Sequence, residues 1–349
     1  MHVIGRERGD GPTGWLGYYR ARDGSRGEAV GIDLDGPHAA AVVGKRGSGK
    51  SYTLGVLAEE VARTEALAPV VADPMGVFPT LADTSDAGTD AVPATVVDPR
   101  VRADALDPAS WCRVLDLDPT DPAGTVVWQA AATATTLPAM RAAVAESDAS
   151  AAARRGARNH LRLAASWDIF DPDATTTDTL DTAGVTVLDL SGLSRAPMNA
   201  VLAAVAHSLY DARVNGDADR LPWLLVDEAH AFFDGVAGPA LRTLLTRGRQ
   251  PGVSLVAATQ RPAALPDVVF SQSDLVLAHR LTDSTDRDAL AAARPSYATE
   301  TFAARMPTRP GAVLVVDDAT ESVHAVQVRE RATPHGGASP RASDIETVE

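Results

Sequence analysis

The chain contains very little cysteine and no long apolar run. Cys112 is the single cysteine among 349 residues, so no disulfide can form within the chain, which is typical of proteins from a reducing compartment. No apolar run approaches the roughly 20 residues that a membrane-spanning helix needs, and the N-terminus lacks an apolar run of signal-peptide length. We therefore expect a cytoplasmic protein without a membrane span.

Lysine is almost absent, because Lys45 and Lys50 are the only two lysines beside 30 arginines. The net charge of −14 comes mainly from 34 aspartates, with 12 glutamates. Much aspartate with little lysine is typical of proteomes adapted to high salt, so we expect a halophilic, archaeal origin. Net charge normally constrains the choice of partner, but an acidic background shared by a whole proteome does not exclude nucleic acid.

Short apolar runs alternate with helical patterns along most of the chain. This alternation predicts an α/β fold with a mainly parallel sheet flanked by helices. The predicted strands are 38–44, 68–74, 94–99, 184–190, 222–228, 252–260, 274–280 and 311–318, and several are apolar throughout, as in strands buried on both faces. The predicted helices are 50–64, 196–214, 236–247 and 284–294.

Three segments depart from this alternation. Residues 100–170 are rich in Ala and Arg at helical spacing, which predicts an α-helical insertion on the sheet. Residues 1–37 are expected to form a short N-terminal extension, at most a β-hairpin, and residues 330–349 are Pro/Gly/Ser-rich and polar, which predicts a disordered tail. Residues 38–329 are therefore interpreted as one domain.

The segment GKRGSGKS, residues 44–51, fits the phosphate-binding pattern G-x-x-x-x-G-K-[ST], between an apolar strand and a helix-forming run. Glycines let successive N–H groups turn inward around phosphate oxygens at a helix N-terminus. We expect Lys50 to reach the β- and γ-phosphates of ATP and the Ser51 hydroxyl to ligate Mg²⁺. The predicted nucleotide-binding residues are Gly44, Lys45, Arg46, Gly47, Ser48, Gly49, Lys50, Ser51 and Tyr52. Lys45 fills a variable position, where a solvated loop cation is the favoured interpretation over a catalytic one.

The run LLVDEAHAFF, residues 224–233, places two acids at the end of an apolar strand. Ligands of open α/β sheets lie at that edge. Asp227 is expected to hold the Mg²⁺ through a water molecule and Glu228 to polarise the attacking water. A strand that ends in two acids is common by itself, but together with the glycine-rich loop it indicates an NTPase.

The run AATQRP, residues 257–262, closes the next predicted strand with polar side chains at the same edge. Gln260 is expected to bond both the γ-phosphate and the water, and so to sense hydrolysis. A polar cap at a strand end remains the alternative interpretation.

These motifs, in this order, resemble the HerA/FtsK superfamily of hexameric P-loop ATPases, and within it the HerA-type and conjugation-type ATPases. The blocks that carry the resemblance are HAAAVVGKRGSGKSYTLGVLAEE, VVADPMGVF, GVTVLDLSGL, LLVDEAHAFF and LRTLLTRGRQPGVSLVAATQRPAALPDVVFSQSDLVLAHRLTDSTD. The resemblance covers about two-thirds of the chain, between residues 38 and 318, and implies a RecA-like core.

The resemblance implies hydrolysis of ATP between subunits of a homo-oligomeric ring, coupled to movement of double-stranded DNA or another polymer. Rings of this kind complete each site with an arginine from the neighbouring subunit, which stabilises charge on the transferred phosphoryl group. Arg247 and Arg249 match the segment that supplies it, with Arg280 in reserve and a plain surface charge as the alternative.

Two other features of the sequence each allow two interpretations. Asp73 matches an acidic residue placed near the nucleotide in HerA-like proteins, but an Asp-Pro turn at a strand end explains it equally well. The arginine-rich run RRGARNHLR, residues 154–162, is a candidate for phosphate contacts with DNA, although a solvated helix face is favoured. HerA proteins carry an N-terminal barrel, for which residues 1–37 are too short, so partnership with a nuclease is in doubt.

Two active functions follow from the sequence. The main hypothesis is a ring motor that translocates double-stranded DNA in repair, packaging or plasmid transfer. The alternative is a nucleotide-dependent assembly or regulatory ATPase that acts on a protein partner in a conjugation or secretion apparatus. A degenerate nucleotide-binding module is disfavoured, because the water-activating Glu228 is intact.

Overall fold

A computed structural model of the protein describes residues 1–21, 23–83, 92–174, 180–292 and 305–336. The strands of this part are β1 (His2–Ile4), β2 (Thr13–Arg20), β3 (Arg26–Asp33), β4 (Ala39–Val43), β5 (Leu67–Asp73), β6 (Ala94–Val97), β7 (Val185–Asp189), β8 (Leu221–Val226), β9 (Ser254–Thr259), β10 (Leu275–Ala278), β11 (Ala312–Asp317) and β12 (Ser322–Val328). The helices are α1 (Lys50–Ala62), α2 (Pro108–Val114), α3 (Pro122–Thr133), α4 (Leu137–Glu146), α5 (Ala151–Ser166), α6 (Arg195–Asn215), α7 (His230–Phe233), α8 (Gly238–Arg247), α9 (Asp267–Gln272) and α10 (Ser284–Ala292).

All the strands belong to one sheet, in the order β1-β3-β2-β12-β11-β10-β4-β9-β8-β5-β7-β6. The part from β10 to β6 is parallel throughout. Every residue of β5, β9 and β10 is buried, because apolar layers cover both faces of the sheet. The carboxyl ends of these parallel strands therefore meet at one edge, which we call the carboxyl edge, and their amino ends meet at the opposite amino edge.

The other part of the sheet is mostly antiparallel. Strand β11 pairs with β10, β12 pairs with β11, and the hairpin formed by β2 and β3 continues the sheet beyond β12. The N-terminal extension thus forms a hairpin, as its sequence suggested, and joins the main sheet instead of standing apart. Strand β12 was not predicted, because its apolar residues are interrupted by Ser322, His324 and Gln327.

The helices cover both faces of the sheet. Helix α1 packs against one face through Leu54, Leu57 and Val61, and α6 packs against the other. Helices α2 to α5 lie in the segment predicted as a helical insertion, and their apolar residues, such as Trp111, join the same core cluster as α6. Within the described ranges, no helix is both long and apolar enough to cross a lipid bilayer.

The predicted disordered tail needs correction at its beginning. Residues 330–336 pack along α1, where the Thr333 N–H and hydroxyl donate to the Glu59 carboxylate at 3.0 and 2.7 Å. Arg329 forms ion pairs with Glu59 at 2.8 Å and with Glu60 at 2.6 Å. Buried carboxylates on α1 need such partners, and composition alone does not reveal that this segment supplies them. Residues 337–349 lie outside the described part of the chain.

Candidate nucleotide site

The predicted site residues other than Arg247 and Arg249 meet at the carboxyl edge because of the strand order. Strand β9 lies between β4 and β8, so the segments that follow these three strands are neighbours. The glycine-rich loop follows β4, Asp227 and Glu228 follow β8, and Gln260 follows β9. Motifs separated by about 180 residues in sequence are thereby brought to one place.

The glycine-rich loop leads into α1 without a capping side chain. Helix α1 begins at Lys50 after Gly49, and its first turn contains no acidic residue. Gly47 and Gly49 have φ angles of +73° and +112°, a backbone region that side chains other than glycine disfavour. The first N–H groups of a helix have no partner within the helix and carry partial positive charge. This helix N-terminus is therefore suited to bind phosphate oxygens.

A buried histidine, His279, supports the loop from below and was missed by the sequence analysis. Its Nε2 lies 3.0 Å from the Thr53 hydroxyl on α1, and a Cβ atom at Gly44 would lie 2.5 Å from the His279 Cβ. Burial lowers the pKa of His279 to about 3, so the imidazole is neutral and adds no charge beside Lys50. His279 follows the last residue of β10, and a single histidine there carries no recognisable pattern.

The two lysines have different surroundings. Lys50 is 6% exposed, and its ammonium donates to the Lys45 carbonyl at 3.3 Å. Burial lowers the pKa of Lys50, whereas the nearby carboxylates of Glu228 and Asp227 raise it. Lys45 is half-buried, and its backbone N–H donates to the Arg280 carbonyl at 2.8 Å. The structure therefore holds Lys50 among the acids of the site and uses the Lys45 backbone to anchor the loop.

Ser51 and Asp227, the two predicted Mg²⁺ ligands, contact each other. The Ser51 hydroxyl donates to Asp227 Oδ2 at 2.7 Å. Asp227 is 1% exposed, and burial raises the pKa of its carboxyl group, against the lowering effect of Ser51. Hydroxyl and carboxylate oxygens are the ligands that Mg²⁺ prefers, so this pair fits the ion.

Glu228 lies beside this pair in a strained backbone conformation. Its φ angle is +46°, a left-handed value that is uncommon for residues other than glycine and that often occurs at functional sites. Its Oε2 is buried and accepts no hydrogen bond from the described residues. Burial raises the pKa of Glu228, against the lowering effects of Lys50 and Gln260. A carboxylate with a raised pKa and an oxygen that accepts no hydrogen bond is suited to accept a proton from water.

His230, which the sequence analysis also left without a role, connects the carboxyl ends of β8 and β9. Its Nδ1 lies 3.3 Å from Glu228 Oε2 and 3.1 Å from the Thr259 hydroxyl. Burial lowers the pKa of His230, which favours the neutral ring. The imidazole thus links the segment after β8 to the end of β9, one residue before Gln260. Its position three residues after Asp227 was the one feature of the sequence that could have indicated a place in the site.

Two other residues have mainly structural contacts. Asp73 is buried at the end of β5, where its carboxylate accepts from the N–H groups of Met75 at 3.1 Å and Phe78 at 2.8 Å. Of its two interpretations, the Asp-Pro turn describes these contacts. The Tyr52 hydroxyl accepts from the Arg331 N–H at 2.7 Å, so this side chain is engaged by the C-terminal segment.

The structure does not bring Arg247 and Arg249 to the phosphate loop of their own chain. Both side chains are exposed, and Arg249 forms an ion pair at 3.0 Å with Asp274, which precedes β10 at the amino edge. The five residues of β4 rise about 3.3 Å each, so roughly 15 Å separates this edge from the loop. Arg280, the reserve candidate, lies instead beside the loop of its own chain, with an exposed side chain.

The arginine-rich run on α5 presents a largely solvated face. Arg155, Arg158 and Arg162 are exposed, and the guanidinium of Arg154 donates to the Ser147 carbonyl at 2.8 Å. The favoured interpretation of these arginines as surface charges agrees with these positions. Among the described residues, no group of three or more metal-binding side chains is present elsewhere in the fold.

A scan against protein-family models finds no match, and neither does a search of the curated proteins. Solved structures are similar in fold. VirB4 of Thermoanaerobacter pseudethanolicus superposes with a TM-score of 0.65 at 14% identity, covering 93% of this chain and 98% of that one. The bacterial conjugative coupling protein TrwB superposes with a TM-score of 0.60 at 16% identity, covering 95% of this chain and 91% of that one. TrwB bound to a non-hydrolysable GTP analogue superposes with a TM-score of 0.53 at 16% identity, covering 86% and 87%. The predicted fold class, a mainly parallel α/β sheet flanked by helices, is confirmed.

Proposed function

We propose that the protein is a P-loop ATPase that works as a homo-oligomeric ring and couples ATP hydrolysis to translocation of double-stranded DNA. The observation that carries the catalytic part is the meeting of Lys50, the Ser51–Asp227 pair and Glu228 at one edge of the sheet. A phosphate site, a cation site and a base lie together there, which is the set that hydrolysis of a phosphoanhydride requires.

Each side chain has a distinct part in this reaction. The N–H groups of the loop and of the α1 N-terminus hold the phosphate oxygens, and Lys50 places a positive charge on the β- and γ-phosphates. The buried Oε2 of Glu228, which lies 3.3 Å from His230 Nδ1, accepts a proton from the attacking water. Gln260 orients that water, and His230 keeps the Glu228 carboxylate beside it. Mg²⁺, held by Ser51 and Asp227, neutralises charge on the phosphate oxygens when it is bound.

The ring is proposed because the arginines that match the finger segment lie at the amino edge. Neither Arg247 nor Arg249 can reach the phosphate loop of the same chain, so an arginine of this segment can act only on the nucleotide of a second copy. Charge that develops on the transferred phosphoryl group is then stabilised across a subunit interface. A hexamer is the expected assembly from the HerA/FtsK resemblance.

Double-stranded DNA is the proposed polymer because the motif order resembles HerA/FtsK motors and the fold is shared with TrwB, a plasmid coupling protein. The same similarity to a conjugative coupling protein favours one alternative, an ATPase that acts on a protein partner in a conjugation apparatus. A cytoplasmic location and a halophilic origin belong to the same proposal.

The test is the ATPase rate of the purified protein at high salt, with and without linear double-stranded DNA, together with its molar mass in solution. We expect Mg²⁺-dependent hydrolysis that rises with DNA, a mass near six subunits, and no hydrolysis by Lys50→Ala. Hydrolysis that ignores DNA but rises with a partner protein encoded nearby would support the alternative. A monomer that hydrolyses ATP at full rate would contradict the ring.

A further inference from the structure

Five side chains of alternating charge form a continuous chain at the amino edge, which we call the charge chain: Arg6, Asp33, His38, Asp274 and Arg249. Arg6 lies 3.1 Å from Asp33, and Asp33 lies 3.4 Å from His38 Nε2. His38 Nδ1 lies 2.7 Å from Asp274 Oδ2, and the same oxygen lies 3.0 Å from the Arg249 guanidinium. The residues come from the N-terminal extension, the start of β4, the start of β10 and the segment after α8, so only the folded chain assembles them.

Burial changes sharply along the charge chain. The side chains of Asp33 and His38 are 7% and 3% exposed, whereas that of Arg249 is 73% exposed. His38 is held further by the Trp223 ring, whose centroid lies 5.6 Å away, and by a bond from its N–H to the Ser254 hydroxyl. A rigid interior therefore ends in one solvent-facing guanidinium.

Asp274 is the residue through which this interior reaches Arg249. Its Oδ1 accepts from the Ala39 N–H at 3.0 Å, and its Oδ2 faces both His38 and Arg249. Both oxygens are thus engaged, which fixes the plane of the carboxylate and the direction from which Arg249 can approach. Although burial alone lowers it, the interactions with Asp274 and Asp33 raise the pKa of His38 to about 9, so the ring is charged at neutral pH.

Stability alone does not account for this arrangement. An exposed ion pair such as Arg249–Asp274 contributes little to folding. What the charge chain does supply is a defined orientation for a side chain that otherwise has many rotamers. Arg247, two residues earlier, is also exposed but forms no ion pair with any described residue.

We propose that His38 is a positioning residue that acts through Asp274 to hold the Arg249 guanidinium outward, toward a triphosphate bound at the phosphate loop of a second copy of this chain. The inference rests on the proposed function and selects Arg249 over Arg247. It also gives the N-terminal extension a part in the reaction, since Arg6 and Asp33 fix the far side of the His38 ring.

The first experiment is a double-mutant cycle on the Mg²⁺-ATPase activity of the assembled protein. We expect Arg249→Ala to lower kcat about 10²-fold or more, because it removes charge from the transition state. His38→Ala should lower kcat about tenfold with KM for ATP within roughly twofold, and should cause no further loss in the Arg249→Ala background, because both changes remove one interaction. His38→Asn, which keeps a donor near the Nδ1 position, should lose only about threefold.

The second experiment mixes variants. A His38→Ala subunit keeps its own phosphate loop, and a Lys50→Ala subunit keeps a well-oriented Arg249. Mixing the two should restore activity above the sum of the separate proteins, because the intact loop then meets the intact arginine. A defect in folding or assembly would not be repaired this way. Melting temperature and molar mass are recorded for each variant, with Arg100→Ala, which breaks the exposed Arg100–Asp168 pair of 2.9 Å, as the matched control expected to keep activity.

Defined outcomes overturn the proposal. Full activity in Arg249→Ala, an additional tenfold loss for His38→Ala in that background, a raised KM, or no recovery on mixing would each remove the positioning role. If Lys50→Ala is inactive while one of these results holds, only the positioning role fails. If the wild-type protein hydrolyses no ATP, or Lys50→Ala hydrolyses it as fast, the proposed function fails as well.

Discussion

The two edges of the parallel sheet are organised differently. At the carboxyl edge, Lys50, Asp227 and Glu228 are buried or half-buried, lie in one chain, and contact each other or their neighbours directly. At the amino edge, a buried run of alternating charges ends in Arg249, whose side chain is 73% exposed and faces solvent. One edge is enclosed by its own chain, and the other presents a cation outward.

This difference indicates how the work of the site is divided. The carboxyl edge has the residues that we propose bind phosphate and accept a proton, but Arg247 and Arg249, the proposed finger arginines, are about 15 Å away at the other edge. The length of the strands keeps the two edges of one chain apart. A second copy of the chain can place its amino edge beside the carboxyl edge of the first. Changes at the carboxyl edge should therefore abolish activity within one subunit, and changes at the amino edge should be repairable by a neighbour.

The largest effect is expected for Lys50, with the other lysine of the loop, Lys45, as its control. Lys50→Ala should lower the ATPase rate about 10³-fold, because the charge on the β- and γ-phosphates is lost from a buried position. Lys45→Ala should lose only about twofold to fivefold, because Lys45 anchors the loop through its backbone N–H. Initial rates at saturating ATP measure both. Equal losses of ATPase rate in the two variants would show that the difference in burial does not give the two lysines different roles.

A slightly smaller effect is expected for the proposed base. Glu228→Gln should lower the ATPase rate roughly 10²- to 10³-fold, because the amide cannot accept the proton from water. ATP binding, measured by isothermal titration calorimetry, should stay within a factor of about three. Loss of binding together with turnover would show that Glu228 shapes the pocket instead of activating water.

A moderate effect is expected at Gly49, where the loop packs against Gly311 and His279. Gly49 has a φ of +112°, and an added Cβ would lie 3.2 Å from the Gly311 nitrogen and 3.3 Å from the His279 ring. Gly49→Ala should therefore weaken ATP binding about tenfold or more. Gly47→Ala is the matched control, since Gly47 also has a positive φ but a Cβ there meets no atom within 4 Å. Similar affinities for the two variants would argue against the steric explanation.

The smallest effect is a pH dependence at the amino edge. His38 has a folded pKa of about 9 against an ordinary value of 6.5, so its contribution to stability is fully present below pH 6.5 and is lost as pH rises through about 9. The free energy of unfolding should fall by roughly 2–3 kcal/mol across this window as Asp33 and Asp274 lose their buried cation. Denaturant titrations at several pH values measure it. His38→Asn, which cannot titrate, should start less stable and show a flatter profile; an unchanged slope would place the effect elsewhere.

Features that are encoded by neighbouring residues could be predicted from the sequence. Eight residues of the loop, an apolar strand before it and a helix-forming run after it predict a phosphate site from neighbouring residues alone. Parallel strands followed by polar residues predict that Asp227 and Gln260 lie near it. Features made by distant residues could not. Strand β12 has polar residues among its apolar ones, and residues 330–336 pack on α1 through contacts with Glu59 and Tyr52, which are distant in sequence. His279 and His230 belong to no sequence motif. Their roles are inferred only from their contacts with Thr53 and Glu228 in the folded chain.

The sequence by itself determined the phosphate loop, the paired acids and the alternation that builds a mainly parallel α/β sheet, because each depends on residues that are neighbours in the chain. Only the tertiary structure decided that the finger segment lies at the opposite edge, and that Arg249, unlike Arg247, is tied to a buried histidine. His38 and Asp274 are 236 residues apart, and a hydrogen bond over that separation is created by the pairing of β4 with β10. Motifs made of neighbouring residues can be identified in the sequence, whereas the positions of the two edges relative to each other depend on how distant strands pair.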